Sequence, residues 1–146
     1  MCAELIDRAG PITFVHLSER IARAHGFQRT GSEIKKQIWA AVGRQRQSTK
    51  APDGAVTFWP EHLAPTSHLP YRGDVVAGES RPWQSTPYVE KLGLAIGLVA
   101  SCRPEIRLTE MAKRVGVLRL RTKTRDELVE LLESAAGMTN STTEDE

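Results

Sequence analysis

The chain has 146 residues, with 20 Lys and Arg against 18 Asp and Glu, so its formal charge is only +2 and the total says little about partners. That length fits one domain, or two very small ones with thin cores, and excludes a large multidomain enzyme. Leu, Ile, Val and Phe supply 33 residues, enough apolar surface for the chain to order itself. Cys2 and Cys102 lie far apart and outside any Cys-x-x-Cys pair, which argues against a disulfide framework or thiol-rich zinc site and for a reduced, cytoplasmic setting. The longest mainly apolar stretch, residues 92–102, is shorter than the ~20 residues a bilayer crossing needs, and no basic flank with an apolar core opens the chain, so neither membrane anchoring nor export is expected.

Residues 2–9 place Leu5, Ile6 and Ala9 on one helical stripe, which Gly10-Pro11 ends. Over residues 13–25, Phe14, Leu17, Ile21 and Ala24 recur at helical spacing with His16, Glu19, Arg20 and Arg23 opposite, and Gly26 closes the helix. Ser32 is a candidate cap for a third helix, with Ile34, Ile38, Ala41 and Val42 inward, Lys36 and Ala40 outward, and Lys35 and Trp39 on the flank. Residues 47–50 and 55–59, joined by Ala51-Pro52-Asp53-Gly54, suit a short β-hairpin. Three helices followed by a hairpin is the order of a winged helix.

Five prolines between Pro60 and Pro87 make residues 61–86 a connecting loop, with Tyr71, Trp83 and Val75-Val76 expected to tack it down. Thr86-Pro87 opens a helix over 88–101, and residues 108–115 form another, closed by Gly116. Thr124-Arg125-Asp126-Glu127 reads as a capping box for a last helix with Leu128, Leu131, Leu132 and Ala135 in its stripe and Gly137 at its end. Residues 138–146 are polar, acidic and expected to be disordered. The predicted organisation is a winged-helix-like unit at 1–60, the loop at 61–86, a second helix-turn-helix-like unit at 87–137 and the tail. The fold class is mainly α with a small β-hairpin, in two tandem units.

Resolved by position, the charge is far from bland. Residues 1–50 carry +5, 51–102 carry −2, 103–125 carry +6 and 126–146 carry −7. The basic blocks coincide with an internal echo. Leu17-Ser18-Glu19, Ile21-Ala22-Arg23 and Gly26-Phe27 correspond to Leu108-Thr109-Glu110, Met111-Ala112-Lys113 and Gly116-Val117, once one residue is gapped. Both segments read as helix-turn-helix frames in which a small Ala lets helices approach and Gly takes the turn.

Gly10-Pro11-Ile12, the helix over 17–26, the run Gly26-Phe27-Gln28-Arg29-Thr30-Gly31-Ser32-Glu33-Ile34, Phe58-Trp59-Pro60, and Gly116-Val117 with the closing amphipathic helix together resemble an uncharacterised family. It is a domain of unknown function at the C-terminal end of large bacterial proteins that carry superfamily I helicase modules and often a very-short-patch-repair-like nuclease module. The resemblance extends over nearly the whole chain. It implies an accessory role in nucleic-acid processing or defence. The chain has no Gly-x-x-x-x-Gly-Lys-Ser/Thr phosphate loop, so ATPase activity does not come with it.

His16, His25, His62 and His68 have no metal-ligand spacing, and no nucleophile is placed beside a base; no cofactor, metal site or catalytic residue is expected. The leading expectation is a non-enzymatic module for double-stranded DNA. In the first unit Arg29, Lys35, Lys36, Arg44, Arg46 and Lys50 surround the third helix and the hairpin. In the second, Lys113, Arg114, Arg119, Arg121, Lys123 and Arg125 surround the turn. Solvated faces carry such cations too; two clusters at equivalent places favour phosphate contacts. Trp39 and Trp59 are expected to anchor the core and hairpin rather than stack on bases. A rival expectation is docking on a helicase or nuclease partner through the loop from Tyr71 to Trp83, and a small hydrolase is a distant third.

Overall fold

The structure, a computed structural model, describes residues 2–27, 31–117 and 119–144, with side chains up to residue 139. It is mainly α with small antiparallel sheets, an arrangement compatible with a winged helix. Two compact units emerge: residues 1–67 with 75–88, and residues 68–74 with 89–146. The loop 61–86 is therefore shared between them rather than standing alone.

In the first unit, α1 (Cys2–Ala9) ends where Gly10 takes φ 74° and its amide donates to Ile6 O, with Pro11 blocking continuation. A strand absent from the sequence reading follows: β1 (Ile12–Thr13) pairs antiparallel with β3 (Val56–Phe58), which also pairs with β2 (Ser48–Lys50). The β2–β3 connection is the expected hairpin. Ala51 N donates to Ala55 O, Gly54 N donates to Ala51 O with φ 88°, and Asp53 Oδ1 accepts from Ala55 N.

Helix α2 (Phe14–Ala24) is capped by Thr13, whose Oγ1 accepts from His16 N and donates to Ser85 O. Its buried face keeps Leu17 and Ile21 of the stripe read from periodicity but is wider and shifted. His16, Leu17, Ser18, Ile21 and Ala22 point inward, whereas Ala24 is exposed. The helix is covered on two sides, so its buried arc is wider than one apolar stripe. Helix α3 (Ser32–Val42) has Gly31 rather than Ser32 at its cap and buries Ile38 and Val42, with Ile34 half-buried and Ala41 exposed.

The core joins Ile6, Ala9, Ile12, Leu17, Ile21, Ile38, Val42 and Phe58. Asp7 on α1 staples the approach to β2: its carboxylate accepts from Arg46 Nε at 2.8 Å and from the Glu61 amide at 3.0 Å. Trp59 is buried, its Nε1 donating to Thr49 Oγ1 at 3.0 Å, as an anchor should. Further along, β4 (Val75–Val76) and β5 (Glu79–Ser80) form a tiny hairpin with Ala77 and Gly78 both at positive φ, and a 3-10 turn follows at Trp83–Ser85. Trp83 is buried here, while Val75 points to solvent.

In the second unit, α4 (Tyr88–Ser101) begins one residue after the proline expected at its first position. Thr86 does not cap it; its Oγ1 donates to Pro82 O. Glu90 and Lys91 are buried on α4 but each is paired. Arg72 grips Glu90 through Nε, Nη2 and its own amide, and Lys91 Nζ reaches Glu127 Oε2 at 3.3 Å. Arg107 donates to the carbonyls of Val99 and Cys102 at the end of α4. Helix α5 (Arg107–Arg114) buries Met111 and Ala112; α6 (Thr122–Glu144) buries Leu128, Leu131 and Ala135. Helix α6 starts two residues before the capping box, leaving Thr124 inside it, and runs through Gly137 rather than stopping there. Thr139 Oγ1 donating to Ala135 O belongs to that continued helix.

Candidate nucleic-acid interface

The internal echo is structural at its turns. At the end of α2, Phe27 N donates to Ala22 O and Gly26 N to Arg23 O; at the end of α5, Val117 N donates to Ala112 O and Gly116 N to Lys113 O. Gly26 and Gly116 have φ 80° and 74°. Both are the same glycine-dependent C-cap, and seven residues then separate each helix from the next, 25–31 and 115–121. Ala22 and Ala112 are buried beside these turns, which is where a larger side chain would hold the helices apart.

Around this frame the first basic cluster divides by role. Lys36 is exposed on α3, Arg44 is exposed just past its end, and Lys50 is exposed at the end of β2. Lys35 is half-buried beside them. None of these four is in an ion pair among the described residues. Arg46 differs: it is committed to Asp7, with Glu61 Oε2 at 3.6 Å, and donates through Nη1 to Gln45 O at 2.7 Å. The pair lowers the Asp7 pKa to about 2, chiefly through the Arg46 hydrogen bonds and then the Glu61 amide, and raises that of Arg46. Arg29 lies outside the described residues.

The outward arc of α3 carries Glu33, Lys36, Gln37 and Ala40, all exposed, with Arg44 at its end. Ala40 leaves that arc shallow between Lys36 and Arg44, with Glu33 at the start of the helix.

The second cluster is denser. Lys113, Arg114, Arg119, Arg121, Lys123 and Arg125 are all exposed between the last turn of α5 and the start of α6. Lys113 Nζ lies 3.5 Å from Glu110 Oε1, and the other five have no ion pair among the described residues. The first turn of α6 has no acidic residue, so its positive dipole end adds to these cations instead of being neutralised.

Three features differ from what the sequence predicts. Trp39, expected in the core, is 44% exposed: its ring packs edge-on to Phe14 and Phe58 at 5.2 and 5.5 Å and leaves its remaining surface in a notch with Lys35 and Lys36. Arg8, Arg20 and Arg23 meet across an open cleft of about 470 Å³ with Glu4 and Glu79. The i, i+3 spacing of Arg20 and Arg23 marks a shared face, but nothing local brings Arg8 to it. His16, expected opposite the apolar stripe, is 4% exposed, and burial followed by the charges of Arg20, Arg23 and Arg81 pushes its pKa down to about 4.

Among the described residues no group of three or more His, Cys, Asp or Glu could hold a metal ion, and no helix is long and apolar enough to cross a membrane. A family described as "Protein of unknown function (DUF3320)" matches residues 1–36. That segment covers α1, β1, α2 and the start of α3, so the wider resemblance expected from the sequence is supported only there. No curated protein and no solved structure matches the chain.

Proposed function

We propose that the chain is a non-enzymatic DNA-associated module whose two helix-turn-helix frames offer exposed cations to the phosphates of double-stranded DNA. The observation that carries this reading is the run Arg114, Arg119, Arg121, Lys123 and Arg125, exposed around the turn between α5 and α6 and in no ion pair among the described residues. Charges that serve folding find partners, as Arg46, Arg72 and Lys91 do. These five face solvent beside a positive helix end, the arrangement a polyanion satisfies.

Lys36, Arg44 and Lys50 extend the reading to the first frame, with Lys36 nearest any base edge and Lys35 beside it. The resemblance to a domain accompanying helicase and nuclease modules suggests an accessory role in such a system. Of the aromatic and apolar groups on which the rival docking reading relies, Trp83 is buried, Tyr71 and Val76 are half-buried and Val75 is exposed.

The test is duplex affinity at several salt concentrations for two variants, one with Lys36, Arg44 and Lys50 changed to Ala and one with Arg119, Arg121, Lys123 and Arg125 changed to Ala. Removing each cation that neutralises a phosphate should lower the salt slope by about 0.9. Affinity and slope unchanged in both variants, with helicity intact, would overturn the proposal.

A further inference from the structure

Trp39 is the one tryptophan of the three whose ring is open to solvent: Trp59 is 1% and Trp83 7% exposed, against 44% for Trp39. Solvation of so large an apolar group is unfavourable. The ring is nevertheless held firmly. It stands at 90° to Phe14 and at 66° to Phe58, and Phe14 and Phe58 also meet edge-on at 6.1 Å, so three aromatic rings brace one another.

The notch over Trp39 is a shallow, open depression of about 250 Å³ lined by Phe14, Lys35, Lys36 and Trp39. Its lining is almost wholly apolar, made by the rings of Phe14 and Trp39 and the aliphatic stems of Lys35 and Lys36, whose ammonium groups lie beyond it, and it includes no acidic side chain. Lys35 and Lys36 lie four and three residues before Trp39, the helical spacings that bring side chains together over one surface. A rigid aromatic face loses little entropy when a flat ligand stacks on it, and two adjacent ammonium groups suit the phosphates on either side of that ligand.

We infer that the Trp39 notch is a stacking site for an unpaired nucleobase, with Lys35 and Lys36 holding the flanking phosphates. This rests on the DNA-binding reading and narrows it. A base inside an intact duplex has both faces covered by its neighbours and has none to offer Trp39. The ligand is therefore DNA carrying an unpaired nucleotide next to a duplex, such as an overhang, and the duplex portion lies against the exposed cations of the first unit.

The experiment compares three DNAs of the same duplex sequence with the intact chain: blunt, with a short single-stranded overhang, and with that overhang made abasic. Binding is read by anisotropy and by tryptophan fluorescence, which changes on stacking only at the exposed ring. Changing the DNA avoids disturbing Trp39, whose loss would loosen Phe14 and Phe58; Lys35→Ala with Lys36→Ala gives a second check on a less critical pair. The overhang should raise affinity about fivefold or more and quench the fluorescence, and the abasic overhang should return both to the blunt value. In the double lysine variant that gain should shrink.

Salt-dependent binding of the blunt duplex with no gain and no quenching from the overhang overturns the stacking site and leaves the duplex reading standing. Quenching by the overhang with no affinity for the blunt duplex does the reverse. Quenching by an acidic, aromatic-bearing peptide but by none of the DNAs overturns the inference in favour of a protein ligand.

Discussion

His16 should make the first unit acid-sensitive in a defined window. In the folded chain its pKa is pushed down to about 4, against 6.5 when the imidazole is free, first by burial and then by Arg20, Arg23 and Arg81, with Glu79 acting weakly the other way. At neutral pH the ring is uncharged in both states. As the pH falls through 6.5 the unfolded chain takes up a proton that the folded chain refuses, so stability declines until the pH reaches about 4 and this contribution then levels off.

Linkage with those two values gives a loss of about 2 kcal/mol between about pH 7 and pH 5, or roughly 10 °C in melting temperature for a unit of this size. All three tryptophans lie in the first unit, so the fluorescence-detected melt reports on it alone. His16→Leu removes the titration and also a ring nitrogen, Nδ1, that is buried without a hydrogen-bond partner. The variant should lose several degrees less than the wild type over the same pH interval. Equal losses in both proteins, or an imidazole that titrates near 6.5 by NMR, would refute the reasoning.

The Asp7 pair acts in a separate window. Because the folded carboxyl titrates near 2 rather than 3.8, its contribution is present above about pH 4 and lost as the pH falls to about 2; Arg46→Ala should bring the Asp7 titration back toward 3.8 and abolish that acid-dependent difference. Gly93→Ala should disrupt the second unit, since a Cβ there would stand 1.7 Å from Leu69 O; a chain whose helical signal melts as in the wild type would contradict the close approach of residues 68–74 to α4. Gly26→Ala and Gly116→Ala meet no neighbour within 4 Å, so each should cost only the left-handed backbone penalty, about 1 kcal/mol, and about equally. Markedly unequal costs by thermal melting would argue against a shared turn.

The residues that announce their own structure did so well. Gly10-Pro11 stops α1, Pro52-Asp53-Gly54 closes the hairpin, and Gly26 and Gly116 take matching caps, because each of these conformations is set by local chemistry. What depends on distant neighbours was not legible. Strand β1 is two residues long and exists only because β3 pairs with it. His16 is buried by groups remote in sequence, and Ala77-Gly78 lacks the Asn-Gly signature of its turn.

The candidate site shows the same division. Charged residues of a polar turn and of the helix start that follows it are expected in solvent, and Arg119, Arg121, Lys123 and Arg125 are exposed. Which cation the fold would consume could not be read from the sequence. Arg46 looks no different from Arg44 in the sequence, and only the arrival of Asp7 from α1 separates their roles. Trp39 was misplaced because Phe14 and Phe58 fill the space beneath it first, leaving its own ring at the rim.

The most direct measurement of the account is the affinity of the unmodified chain for duplex DNA as salt is raised. If four or more of the exposed cations contact phosphates, affinity should fall by at least about a hundredfold between about 50 and 200 mM salt. Absence of binding at the lower concentration, or an affinity that does not change with salt, would contradict it.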